Sequence, residues 1–264
     1  MFGMCLRTTV ISATVALCML PSWPVSAQDS RQNEPGQFDF YLLTLSWSPS
    51  FCEASAERSN RTNRDEQNGD QQATAQTRGG DAQAQTDSTG DQARRNNRRS
   101  RNEQCGDRPY SFVVHGLWPQ YERGFPEFCQ TPAPRLNRNI VSSMLDLMPS
   151  PQLIFREWDR HGVCSGLPAR AYFETMRKAR AMVKIPTDYL DLKQPRTVTP
   201  GEVEDAFIAA NPGLTHDAIA IGCDAKRLND VRICLSKDLK FRDCAEVDQR
   251  TCRRDQVLMP RVRG

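Results

Sequence analysis

The sequence predicts an α+β fold, a mainly antiparallel β-sheet flanked by α-helices and stabilised by disulfides. Three observations predict it. Strand-like and helix-like stretches are interspersed without a regular βαβ repeat, which argues against a parallel sheet. Two strand-like stretches late in the chain, 231–235 and 239–244, are separated by the short polar turn Ser236-Lys237-Asp238, as in a hairpin. Eight of the ten cysteines remain once an N-terminal export signal is removed, and an even number in an exported chain argues for a disulfide framework.

The signal comes first. Arg7 precedes an apolar run from Val10 to Leu20, and Val25-Ser26-Ala27 places small residues where a peptidase would cut, so residues 1–27 read as a removable leader. The run is too short to span a bilayer comfortably and no later stretch is apolar for long enough, so the expectation is a secreted or periplasmic protein not held in a membrane. From Phe38 to Trp47 the chain is aromatic and apolar between polar flanks, the pattern of a buried central strand. Ser48-Pro49-Ser50 ends it.

From about 53 to 104 there is no aromatic or branched aliphatic residue. Such a stretch cannot bury enough apolar surface to offset its ordering entropy, which predicts a disordered polar insertion within one domain spanning 28–264. Its end, residues 94–101, is a basic run that reads either as a solvated loop or as an arm tethering nucleic acid. Strand character returns at Tyr110–Leu117, where alternation sets Val113 and His115 on one face and Phe112 and Val114 on the other, and Trp118-Pro119 turns the chain away. Helices follow at 140–147, at 169–185 with Tyr172, Phe173, Met176 and Ala179 inward, and at 203–210 behind a Thr199-Pro200-Gly201-Glu202 entry. Residues 218–223 add a strand before the hairpin.

The chemistry concentrates at Phe155–Cys164. On a helix, Glu157 and His161 share a face with Arg160 at its edge, while Ile154, Phe155 and Trp158 supply an apolar anchor. An acid/base pair beside fixed positive charge suits transfer of an anionic group such as a phosphoryl. Alone, Glu157 with Arg160 would be an ordinary helix-surface pair, and His115 a structural hydrogen-bonder at a strand end. A zinc site is disfavoured by the absence of CxxC spacing and by only three histidines, of which His216 reads as a surface residue. With Arg7 removed the net charge is about +2, which excludes tight electrostatic wrapping of nucleic acid and leaves attraction to a local cleft.

Two stretches taken together, F-V-V-H-G-L-W-P at 112–119 and R-E-W-D-R-H-G-V-C at 156–164, resemble the two active-site segments of the ribonuclease T2 family. The resemblance covers about Phe38 to Cys252 without the insertion. It implies endonucleolytic cleavage of single-stranded RNA with no metal or cofactor: a 2′-hydroxyl attacks phosphorus, a 2′,3′-cyclic phosphate forms, and hydrolysis gives a 3′-phosphate. It implies His115, Glu157 and His161 as catalytic, with His161 as base and His115 as acid exchanging roles in the second step. Arg156 and Arg160 would then stabilise phosphate. The need for a 2′-hydroxyl excludes DNA.

Two departures stand out. Arg156 occupies the place of a histidine, keeping charge but not proton transfer. Ser46-Trp47 stands where many members carry Gln-Trp, so base contacts through that glutamine do not transfer, and low base specificity is expected. Trp47, Pro49, Phe51 and Trp118 are the candidate base-binding groups. Resemblance with local spacing favours the disulfides Cys52–Cys105, Cys129–Cys164, Cys223–Cys252 and Cys234–Cys244. The expected state is a monomer with RNA as its partner. The rival reading is a catalytically weakened homologue that binds RNA or a partner protein.

Overall fold

A computed structural model describes residues 31, 33–76, 103–106 and 108–263; the expected leader, residues 1–27, and the basic run at 94–101 lie outside them. Four strands form one antiparallel sheet in the order β2-β1-β5-β4, with β1 at Phe40–Trp47, β2 at Phe112–Gln120, β4 at Ile219–Cys223 and β5 at Leu228–Leu235. A second, two-stranded sheet pairs β3 (Arg196–Val198) with β6 (Val257–Met259). Among the described residues the α-helices are α1 (Ser48–Gln76), α2 (Arg138–Met144), α3 (Pro151–Arg160), α4 (Ala169–Met182), α5 (Pro200–Ala210) and the short α6 (Ala245–Asp248). The four disulfides pair Cys52 with Cys105, Cys129 with Cys164, Cys223 with Cys252, and Cys234 with Cys244.

Alternation along β1 divides the molecule. Tyr41, Leu43, Leu45 and Trp47 point into the main core with Ile154, Trp158, Tyr172, Phe173 and Met176 of α3 and α4. Phe40 and Leu42 point the other way, into a small apolar cluster with Cys234, Cys244 and Val247, against which Trp118 rests. The strand is buried on both faces because each face has its own cover. The second face carries the site.

The helix ends follow their residues. Ser150 caps α3, its hydroxyl accepting from the Leu153 amide, and Pro151 occupies the first helical turn. Thr199 and Glu202 close a reciprocal capping box on α5, the entry expected from T-P-G-E. The inward face of α4 is the expected one, with Tyr172, Phe173, Met176 and Ala179 buried.

Four expectations need correction. Trp118-Pro119 does not turn the chain: β2 runs on to Gln120, because Trp118 and Pro119 pair with Leu42 and Tyr41 of β1 at the sheet edge, where proline's missing donor is tolerated. Residues 239–244 form no strand; a single bridge joins Leu235 to Phe241. Phe155 is no anchor, being 41% exposed, while Ile154 and Trp158 hold α3 to the core. The insertion is not disordered from its start: residues 48–76 are helical and 77–102 lie outside the described residues. This polar helix is held at its first turns by Cys52–Cys105 and by Arg227, a buried guanidinium that pairs with Glu53, Glu57 and Asp224. Composition alone does not reveal ion pairs to a residue 170 positions away.

Candidate active site

The site is built where β2 and α3 meet. In the β1–β2 ladder Thr44 pairs with Gly116 and Leu45 with Val114, so His115 is an extra residue with no partner opposite: a β-bulge. The bulge reverses the alternation that follows. Val114 and Leu117 both face the main core, whereas Gly116 and Trp118 face the site, opposite Thr44 and Leu42. Were all five residues from Val114 to Trp118 in unbroken alternation, Leu117 would lie on the site face and Trp118 in the core.

His115, on the bulge, is contacted from two sides. Its Nδ1 lies 3.0 Å from the Ser46 hydroxyl and its Nε2 lies 3.4 Å from Glu157 Oε1. Glu157 is almost wholly buried, and its second oxygen accepts from the Trp118 indole N–H at 2.6 Å. That bond passes over Gly116, where a Cβ would overlap both Glu157 Oε2 and Trp118 Nε1. Only glycine leaves this space.

The Trp118 ring then separates two imidazoles. It meets His115 edge-on, with ring centres 5.6 Å apart, and stacks on His161 at 5.0 Å. His161 forms the C-cap of α3, its amide donating to the Glu157 carbonyl, and Phe125 closes its other side. Burial pushes the His161 imidazole down to about 4, with Arg160 and His115 adding to the effect and Glu157 and Glu127 opposing it. Its Nδ1 is buried and has no hydrogen-bond partner among the described residues.

Beside this group opens a cleft of about 730 Å³ including the solvent at its mouth, lined by Trp118, Phe125, Glu157 and His161 together with the guanidiniums of Arg156 and Arg160. Arg160 is aimed by Glu127, which accepts from its Nε at 2.7 Å, and its carbonyl accepts from the Phe128 amide. The Cys129–Cys164 disulfide fixes that loop to the end of the helix. Arg156 has no carboxylate partner among the described residues and stands open in the cleft. A neutral imidazole and fixed positive charge in the cleft, with a second imidazole joined to them through Glu157 and Trp118, can move two protons around an anion. Among the described residues no three histidine, cysteine or carboxylate side chains converge as metal ligands would.

Of the residues expected in the site, His115, Arg156, Glu157, Arg160 and His161 come together, and Trp118 forms the wall between the imidazoles. The other base-binding candidates do not join them. Trp47 is wholly buried with its N–H bonded to the Pro260 carbonyl, and Pro49 is buried in the first turn of α1. Phe51 is exposed on α1 but does not line the cleft. His216 lies on the surface near Glu204 and Asp205, away from the site. Sequence reasoning missed Ser46, Gln120, Phe125 and Glu127. Gln120 had a signal, two residues beyond Trp118 on the same strand face, but only to a reader who extended β2 past Pro119.

The Ribonuclease T2 family model matches residues 38–244. A probable ribonuclease from Haemophilus influenzae is 28% identical over 165 residues, covering 60% of this chain and 48% of that protein. A ribonuclease from Aeromonas hydrophila is 31% identical over 150 residues, covering 56% and 47%. The chain thus spans about half the length of these curated relatives. Among solved structures, an RNase-related protein from Calystegia sepium shares the fold at a TM-score of 0.57 and 16% identity, over 86% of this chain and 98% of that one.

Proposed function

This chain belongs to the ribonuclease T2 family, and from that premise we propose that it is an exported endoribonuclease cleaving single-stranded RNA through a 2′,3′-cyclic phosphate to a 3′-phosphate. The observation that carries the reading is the pair of imidazoles on two sides of Trp118, with the buried Glu157 joined to both the indole and His115. In this reading His161, neutral down to about pH 4, takes the proton of the attacking 2′-hydroxyl. His115, backed by Glu157 and Ser46, delivers the proton to the departing 5′-oxygen. The two exchange tasks when water opens the cyclic ester. Arg160, held by Glu127, and Arg156 would stabilise the charge that develops on the pentacoordinate phosphorus, a role supported by their place in the cleft.

No step asks for a metal or cofactor, and the attacking 2′-hydroxyl excludes DNA. Low base specificity is part of the reading, supported by the aromatic surfaces of Trp118 and Phe125 in the cleft, which can stack on any base. Export is supported by four disulfides, which persist in oxidising compartments. A monomer suffices for this reading, which asks for no group from a second copy.

The test is cleavage of a mixed-sequence RNA in EDTA across a pH series, with the product ends identified. Cyclic phosphate giving way to 3′-phosphate is expected, and is expected to disappear in His115→Ala and in His161→Ala. Folded, disulfide-bonded protein that retains RNA without cutting it would replace this reading with that of a binding homologue, for which Arg156 in place of a proton-transferring histidine is the motivating observation.

A further inference from the structure

The cleft presents more positive charge than a single phosphate uses. Besides Arg156 and Arg160 on α3, Arg232 of β5 and Arg250, just beyond α6, line it. The sheet register places Arg232. It pairs with Thr44, which on its other side pairs with Gly116, so the three residues stand in one row across β5, β1 and β2 and share the site face. Two strand spacings, roughly 10 Å, separate Arg232 from the strand that carries His115.

Arg232 is also held. Its Nε donates to Asp230 Oδ1 at 2.7 Å, and the Asp230 carboxylate occupies the space left by Gly222 on β4, where a Cβ would overlap it. Arg250 is tied to Glu246 one helical turn earlier. Each carboxylate engages only part of a five-donor guanidinium fork and leaves other N–H groups for a ligand. Two surface ion pairs would be unremarked elsewhere. These two line the same cleft as Trp118 and His161, over an apolar floor of Leu42 and Val247.

We propose that Arg232 and Arg250 form a second phosphate subsite, taking the phosphate one nucleotide removed from the scissile one. Asp230 is the positioning residue for Arg232. The subsite makes a longer RNA chain a better substrate than a dinucleoside monophosphate, and it rests on the ribonuclease reading above.

The experiment compares kcat/KM for a dinucleoside monophosphate and for the same compound carrying a 5′- or a 3′-terminal phosphate, with long RNA cleaved alongside. One phosphorylated form is expected to be favoured roughly tenfold, mainly through KM, as for one partly solvated charge-assisted contact. Arg232→Gln is expected to bring that ratio toward one, and Arg232→Lys to keep part of it. Equal rates for all three compounds in the unaltered protein, with turnover intact, would overturn the subsite and leave the ribonuclease reading standing. An unchanged ratio in Arg232→Gln would overturn it too. If folded protein cuts neither long RNA nor any dinucleotide, the ribonuclease reading fails first and the subsite with it.

Discussion

His161 should make the folded protein acid-sensitive in a way that one substitution removes. Its imidazole titrates near 6.5 in an unfolded chain and at about 4 in the folded one, chiefly because burial penalises the charged form. The unfolded chain therefore binds the proton first. Above pH 6.5 both states are neutral at this residue and its contribution is complete; between 6.5 and 4 each pH unit removes about 1.4 kcal/mol, so that roughly 3 kcal/mol is lost by pH 4. Urea unfolding of the oxidised protein at intervals from pH 7.5 to 4 measures the loss. His161→Gln, which cannot titrate, is the reference. The difference in stability between the two proteins should change by about 3 kcal/mol over that window and be flat above it. A ring-proton NMR titration should place the His161 midpoint near 4, and the acid limb of kcat/KM should fall there as well. Parallel stability curves, or a midpoint near 6.5, would refute the claim that burial behind Trp118 keeps this imidazole neutral.

The other predictions concern supports of the site. Gly116→Ala forces apart Glu157 and the Trp118 indole, so kcat should drop on the order of 10²-fold with far-UV circular dichroism unchanged; near-normal turnover would show that the Glu157–Trp118 bond does not set the geometry. Replacing Cys129 and Cys164 together by alanine opens a loop with a sequence separation of 35. It should lower unfolding stability by about 3–4 kcal/mol on the chain-entropy scale and weaken activity by freeing the loop that carries Glu127, both read from urea titrations and initial rates. Arg227→Leu removes the shared partner of Glu53, Glu57 and Asp224. Because the two glutamates are partly exposed, a loss of about 1–2 kcal/mol is expected, together with reduced helical ellipticity from residues 48–76; an unchanged spectrum would show that α1 does not depend on this anchor.

Much of the fold was legible because its signals are local. The alternation of Phe40–Trp47, the apolar stripe of α4 and the capping residues of α5 each act within a few residues, and each places its element to within about three positions. The misreadings came from non-local causes. The β3–β6 pair is too short to have a period, and its two strands are some sixty residues apart in sequence. The start of the insertion is helical although its composition is that of a disordered segment, because a disulfide and a buried arginine from β5's approach hold it. Trp47 had the look of a stacking surface next to a motif, but β1 is buried on both faces and the residue's parity sends it inward.

The site was legible as a set of residues but not as an arrangement. Periodicity puts Glu157 and His161 on one face of a helix, and it even pairs Val113 with His115 correctly, yet strict alternation then assigns Trp118 to the wrong side of the sheet. The bulge at His115 corrects this with a single extra residue. One irregularity thereby does three things: it projects His115 toward Ser46 and Glu157, brings Gly116 beneath the carboxylate, and turns the indole outward between the two imidazoles. The H-G-L-W order is consequently a geometric requirement, with an extra polar residue, a missing side chain, a core residue and a wall in sequence. Deleting the bulge by removing one residue between Val114 and Leu117 would restore ideal pairing, leave the core face of β2 intact, and dismantle the site.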